Sequence, residues 1–199
     1  MSAAMEITDL ATPMLQRIAS KMQHPRPLLA AAGAGVESEL HRHFDERNGE
    51  GNKQGWTRSD FWLRKVKDHT RFQGATDREA TVSIASREFL QKLHGGTITA
   101  KSGKMLAIPL SDFAKRMGSP REWNDRSALF VVKMPSQAFL ARKTGNGEGK
   151  GAIEFLYLLK HSVTQNADPR ALPPLYRLQG AVDRAATEFV NANVQGGSR

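Results

Sequence analysis

The chain has 199 residues and no cysteine, so its composition excludes disulfides and thiolate metal sites. No apolar run approaches the ~20 residues of a membrane span, and the N-terminus lacks the basic start and apolar core of a signal peptide. Both observations predict a soluble intracellular protein. Lys and Arg number 29 against 20 Asp and Glu, for a formal net charge of +9. That balance favours nucleic acid or an acidic protein surface as partner, although a solvated basic face explains dispersed charges equally well.

Apolar residues at helical spacing predict a long helix towards each end of the chain. Residues 1–24 are predicted to form an arm or helix, and residues 25–48 the main N-terminal helix. Its apolar stripe, with one residue in every four, consists of Leu28, Ala32, Val36, Leu40 and Phe44. The predicted charged, opposite face carries Glu37, Glu39, Arg42, Asp45 and Glu46. A second helix over residues 174–194 precedes a polar tail at 195–199, and its apolar face is Leu175, Leu178, Val182, Ala185, Ala186 and Phe189.

Strand patterns fill residues 80–163, where the stretch 92–110 is central. His94, Gly95 and Gly96 predict a sharp turn, and the β-branched residues 97–99 and the apolar residues 105–110 predict a hairpin around a turn at 101–103. Further predicted strands are 80–86, the pair 128–134 and 138–142, and 153–159, for which helix is the alternative. The chain is therefore predicted to be one α+β domain over residues 1–199. Its mostly antiparallel β-sheet would pack against the N-terminal amphipathic helix and the C-terminal helix.

Three large aromatic residues, Trp56, Phe61 and Trp62, lie close together in a basic part of the sequence. Such residues can anchor a loop onto the apolar stripe of the first helix. Aromatic residues are also enriched at subunit contacts, and they can stack on the bases of a single strand. We retain Trp56, Phe61 and Trp62 as candidates for a subunit interface.

The sequence contains no arrangement of residues that marks a catalytic or metal site. His41 and His43 are two apart on a helix, so they point to different faces and cannot share a metal, while Glu37 is placed to pair with His41. His94 is predicted to be a structural turn residue whose ring caps a backbone group or packs on the first helix, rather than a base or a phosphate ligand. The glycine-rich connector 145–151 lacks the residue order of phosphate-binding loops. We therefore predict no catalytic residues, no metal and no cofactor.

The order of these signals resembles the virion morphogenesis, or tail-completion, proteins of tailed bacteriophages. The resemblance covers roughly residues 27–190. It begins with the amphipathic helix 27–44 and a glycine-rich loop with Trp56, and continues with Leu-His-Gly-Gly-Thr-Ile at 93–98 and Leu-Ala-Ile-Pro at 106–109. The hairpin strands 129–132 and 138–142, the glycine loop and the segment 154–163 follow, and Pro169-Arg170 leads into the last helix.

The resemblance implies a structural protein without enzymatic activity. Such a subunit would be made in the host cytoplasm and assemble with copies of itself into a ring in the virion, at the neck or the top of the tail. Its partners would be neighbouring neck, connector or tail proteins, with non-specific contact to genomic DNA and none to a membrane. The candidates for positions facing the DNA in the ring lumen are Lys101, Lys104, Arg142, Lys143 and Lys150. The alternatives are a nucleic-acid-binding module and a hydrolytic enzyme built around His94.

Overall fold

The structure is a computed structural model that describes residues 12, 16, 19, 20, 23–50, 55, 59–101, 104–144 and 152–195. Long helices near both ends and antiparallel sheets between them confirm the α+β class. The α-helices are α1 (Arg26–Gly49), α2 (Arg87–His94), α3 (Asp112–Arg116) and α4 (Leu175–Gln195). A π-helical segment covers Phe61–Val66, and 3-10 turns cover Lys67–His69 and Pro120–Glu122. The strands are β1 (Thr70–Ala75), β2 (Ala80–Ile84), β3 (Gly96–Thr99), β4 (Leu106–Pro109), β5 (Leu129–Lys133), β6 (Ala138–Thr144), β7 (Ala152–Lys160) and β8 (Ser162–Gln165).

The described residues group into two compact units. The first contains those within 1–48, 60–89 and 170–199, and the second those within 49–59 and 90–169. The first unit therefore holds nearly all of α1, the β1–β2 pair and α4, whereas the second holds the remaining strands. The prediction of one domain over residues 1–199 stays a prediction.

An aromatic cluster forms the core of the first unit. The predicted stripe of α1 lies inward, and Phe44 is fully buried near its end. The ring of Phe44 stacks on Trp62 at 6.0 Å between centroids and meets Phe89 edge-on at 5.9 Å. Val66 and Thr70 are also fully buried, and the Thr70 hydroxyl donates to the Val66 carbonyl oxygen at 2.9 Å. The π-helical segment and β1, which the sequence patterns did not predict, thus cover the C-terminal half of α1.

The prediction that Glu39 belongs to an exposed charged face is wrong. Its side chain is 2% exposed and receives a hydrogen bond from Arg177 Nε of α4 at 2.6 Å, together with one from Arg42. The same Arg177 guanidinium binds both carboxylate oxygens of Glu46, at 2.8 and 3.0 Å. A buried carboxylate is tolerated here because arginine donors replace its hydration.

The predicted apolar face of α4 is correct in its middle and wrong at its start. Leu178, Ala185, Ala186 and Phe189 are half-buried. Leu175 is 68% exposed and the neighbouring Tyr176 71% exposed, and Val182 is also exposed. Ala181, which the prediction did not include, is buried and takes the place of Val182 on the inward face.

The second unit contains a four-stranded antiparallel sheet in the order β4-β7-β6-β5. The predicted β5–β6 hairpin is confirmed, with Leu129 opposite Arg142 and Lys133 opposite Ala138. Residues 153–159 form a strand, as predicted, inside the nine-residue β7. The helix alternative for them is therefore wrong.

The predicted central hairpin does not form. Strand β3 pairs with β8, and β4 pairs with β7, so the strands on either side of the 101–103 segment belong to different sheets. On either side of this segment, Lys104 N–H donates to the Lys101 carbonyl oxygen at 3.2 Å, and residues 102 and 103 lie outside the described residues. β-Branched residues at 97–99 indicated a strand but carried no information on which partner it takes.

Tyr157 lies at the centre of the second unit's core. Its ring is 1% exposed, and its hydroxyl accepts from Trp123 Nε1 at 3.1 Å. The hydroxyl lies 2.9 Å from the Ala114 carbonyl oxygen and 2.8 Å from that of Gly118, so its single proton is shared between these two acceptors. Burial raises the pKa of this phenol, so the group stays protonated and keeps its donor. The Ser111 hydroxyl caps α3 by accepting from the Ala114 N–H.

Candidate interaction surface

His94, Gly95 and Gly96 form the predicted turn, but the histidine has no part in holding it. His94 is the last residue of α2, and its side chain is exposed. The predicted cap or packing contact of its ring is therefore absent from the described part of the chain. The turn is made by the glycines, which have φ of 69° and 121°. Gly95 is the tighter position, since a Cβ there would lie 2.6 Å from the backbone nitrogen of Ala167.

The structure describes two of the three aromatic candidates, Phe61 and Trp62. Trp62 is half-buried in the core of the first unit, where the guanidinium of Arg47 lies 5.0 Å from its ring centroid. Phe61 meets Trp62 edge-on at 5.2 Å between centroids. Trp62 thus anchors its segment onto the helix stripe, which was one of the alternatives. Trp56 lies outside the described residues, and a subunit contact at Phe61 or Trp62 stays a prediction.

Among the basic residues proposed to face DNA, one is ion-paired within the fold and the other described ones are exposed. Arg142 donates to Glu154 Oε2 at 2.7 Å, and its guanidinium lies 4.3 Å from the ring centroid of Phe113. Its charge is already paired within the fold, so Arg142 is a poor choice for a residue that contacts DNA. Lys101, Lys104 and Lys143 are exposed, whereas Lys150 lies outside the described residues.

Further lysines that the sequence analysis did not select lie at one end of the four-stranded sheet. Pairing places Leu106 opposite Lys160, and it aligns Lys133 with Ala138 and Leu159 on successive strands. The start of β4, the end of β7, the start of β6 and the end of β5 therefore meet. We call this the basic sheet end. Its exposed residues include His161 and the lysines Lys101, Lys104, Lys133 and Lys160. Only the strand order brings them together, so no local signal could have found them.

A groove of about 560 Å³ lies at the basic sheet end. Its apolar lining includes Met105 and Met134, which are 38% and 47% exposed, and Leu159. The basic lining is Lys133, Lys160 and His161, and none of the described residues that line the groove is acidic. The groove therefore combines apolar surface with uncompensated positive charge, which suits a ligand that is apolar and anionic at once.

The charged cluster around Glu39 in the first unit differs from this groove because it contains both acidic and basic side chains. A cleft of about 340 Å³ beside it is lined by Arg42 and Arg184 but also by Glu39 and Glu188, so its charges are matched. His43 donates from Nε2 to the Arg170 carbonyl oxygen at 3.1 Å, and burial lowers its pKa. No group of three or more metal-ligating side chains occurs among the described residues. The cluster is accounted for as packing between α1 and α4.

His41 and His43 of α1 each lie within hydrogen-bonding distance of a backbone carbonyl oxygen. His41 Nε2 donates to the Thr70 carbonyl oxygen at 3.3 Å, so the predicted pairing of His41 with Glu37 is wrong. Thr70, the buried first residue of β1, supplies this acceptor. In the described part of the chain, no helix has the length and apolar character that crossing a membrane requires.

Comparison with known proteins does not assign a function to these surfaces. No family model, curated protein or solved structure matches the chain. The likeness to tail-completion proteins therefore rests on the quoted motifs alone.

Proposed function

We propose that this protein is a structural subunit of a tailed-bacteriophage virion. Copies of it would form a ring at the neck or the top of the tail, where tail completion and head–tail joining take place. The observation that carries the proposal is the order of the motifs between Pro27 and Val190. The proposed partners are other copies, neighbouring neck, connector or tail proteins, and genomic DNA through non-specific contacts. On this proposal the protein has no catalytic role.

Exposed apolar side chains at the start of α4 support assembly with a second protein surface. Leu175 and Tyr176 are adjacent and 68% and 71% exposed. Large apolar side chains in such a position gain free energy when a partner removes them from water, and tyrosine is frequent at interface anchors. Leu175 was predicted to lie on the apolar face of the helix, but its side chain is exposed. We therefore take Leu175 and Tyr176 together as a candidate subunit contact.

A double variant at these positions tests the contact. Leu175→Ser with Tyr176→Ser should leave the thermal melting of the isolated protein nearly unchanged, because both side chains already face water. Particles made with this variant should lack the protein or fail to join heads to tails. Val190→Ser, an exposed apolar position (38%) at the other end of the helix, is the matched control. Normal incorporation of the double variant would contradict the assignment.

Positive charge in a ring lumen supports passage of DNA provided that phosphates are not held too tightly. Lys101 and Lys104 are exposed and remain the leading lumen candidates, with Lys143 as the alternate. Lys101→Glu with Lys104→Glu should change stability by about 0.5 kcal/mol or less. It should alter DNA retention in assembled particles. Burial of both lysines in a protein–protein contact of the virion would contradict the lumen assignment.

A nucleic-acid-binding module is the second candidate, and the basic sheet end is the observation that favours it. Such a module would bind DNA or RNA as an isolated protein, with an affinity that falls steeply as salt increases. A filter-binding titration at two salt concentrations separates the two candidates. Tight binding at low salt that is lost at high salt supports the module, and weak binding at both supports the virion subunit.

A further inference from the structure

The groove at the basic sheet end selects for a particular ligand chemistry. Lys133 and Lys160 line it, and the ion pairs between described residues include neither of them. Met105, Met134 and Leu159 provide apolar surface, and methionine side chains adapt readily to the shape of a bound segment. The volume of about 560 Å³ lies within the range of roughly 300–1,000 Å³ typical of ligand clefts. A phosphate backbone would satisfy the lysines but leave the apolar surface uncovered, so an acidic peptide with apolar side chains fits better.

The chain itself contains such a segment. Residues 1–11 have the sequence Met-Ser-Ala-Ala-Met-Glu-Ile-Thr-Asp-Leu-Ala, which carries Glu6 and Asp9, and neither Lys nor Arg. Its larger apolar residues, Met5, Ile7 and Leu10, stand beside the acidic ones. The other sequence stretches outside the described residues do not combine these properties. The longest of them, 145–151, is Gly-Asn-Gly-Glu-Gly-Lys-Gly and has no apolar side chain.

We infer that the groove at the basic sheet end holds residues 1–11 of a neighbouring copy of this chain. Glu6 and Asp9 pair with Lys133 and Lys160, and the apolar side chains of the segment cover Met105 and Met134. The inference rests on the proposed assembly of copies and specifies one of its contacts. It also separates the lysines of the basic sheet end into two groups, since Lys133 and Lys160 line the groove whereas Lys101 and Lys104 do not.

Zero-length coupling tests the contact directly. A carbodiimide joins a carboxylate to an amine only when the two touch, so it should link Glu6 or Asp9 to Lys133 or Lys160. Equal amounts of isotopically light and heavy full-length protein are mixed, concentrated and coupled, and the linked peptides are identified by mass spectrometry. The expected product joins a light peptide to a heavy one. Pairs within single copies only, or no pair between these residues, would overturn the inference.

Charge reversal adds a quantitative test with a matched control. Lys133→Glu with Lys160→Glu should weaken self-association of the full chain about tenfold or more, as expected for the loss of close charge pairs. Lys101→Glu with Lys104→Glu makes the same change in net charge beside the groove and should have a much smaller effect. Adding Glu6→Lys and Asp9→Lys to the groove variant should restore most of the affinity.

The outcomes distinguish this contact from the ring itself. Rescue by the swapped charges supports docking of residues 1–11. Equal effects of the two lysine pairs, or no rescue, overturn it and leave a non-specific basic surface. Loss of DNA retention without any change in self-association identifies the groove as a nucleic-acid surface and also overturns it. The copy number in the virion is measured independently of these variants. The ring proposal can therefore be correct when residues 1–11 do not bind the groove, and it can be wrong when they do.

Discussion

Replacement of Gly95 by alanine should destabilise the protein more than the same change at any other described turn glycine. Gly95 has φ of 69°, which an alanine adopts at a cost of about 1–2 kcal/mol. A Cβ would also stand 2.6 Å from the Ala167 nitrogen and 2.7 Å from the Gln165 carbonyl oxygen. Both atoms are backbone and cannot rotate away, so the strand end must move, which adds roughly 1–3 kcal/mol. We expect a total loss of about 2–5 kcal/mol.

Gly55→Ala is the matched control. Gly55 has nearly the same φ, 68°, but a Cβ there would meet none of the described residues within 4 Å. It should therefore cost only the conformational part, about 1–2 kcal/mol. Urea denaturation of both variants, monitored by tryptophan fluorescence, measures the difference. Equal losses at Gly95 and Gly55 would show that the turn after α2 does not approach residues 165–167, and the reasoning would be refuted.

Three further changes test the two cores and the buried charges. Tyr157→Phe removes a hydroxyl that serves one donor and two carbonyls, and it should cost about 1–3 kcal/mol by urea denaturation; no measurable loss would contradict the described network. Glu39→Gln replaces a buried carboxylate that accepts from Arg177 and Arg42, whose side chains are 20% and 58% exposed, and it should lower stability by about 1–3 kcal/mol. Glu46→Gln, at a half-exposed position, should cost much less, and equal losses would be inconsistent with burial of Glu39. Burial lowers the pKa of His43 from its ordinary 6.5, so the unfolded chain binds the proton more readily than the folded one. The free energy of unfolding should therefore fall as pH drops below about 6.5. A His43→Asn variant should lose this part of the pH dependence, and an unchanged pH profile would contradict the burial of His43.

The spacing of apolar residues predicted those helices and strands whose buried side chains recur regularly within one short stretch of sequence. Helix α1 was recognised because Ala32, Leu40 and Phe44 recur at helical spacing, and β5 and β6 because apolar residues run together in each. The burial of Glu39 could not be predicted in this way, since its partner Arg177 lies 138 residues away. A carboxylate is exposed or buried according to that distant donor, and nothing near position 39 indicates it.

Strand pairing was the other property that the sequence left open. The stretch around Gly95 has strong turn and strand signals, and two strands close in sequence commonly pair. Here Ile98 lies opposite Val163, and Ile108 lies opposite Leu158, so both strands take partners far along the chain. The basic sheet end exists only because of this pairing. For that reason Lys101 and Lys104 could be proposed from the sequence, whereas the groove residues Lys133 and Lys160 could not.

Counting and locating the protein in purified virions tests the central claim most directly. On the proposed function the chain belongs to a tailed bacteriophage, so particles of the phage that would encode it are purified. The copy number per particle is measured by quantitative mass spectrometry, and the protein is located by electron cryo-microscopy. The account predicts several copies per particle in a closed ring at the neck or the top of the tail. A single copy per particle, or absence of the protein from complete particles, would contradict it.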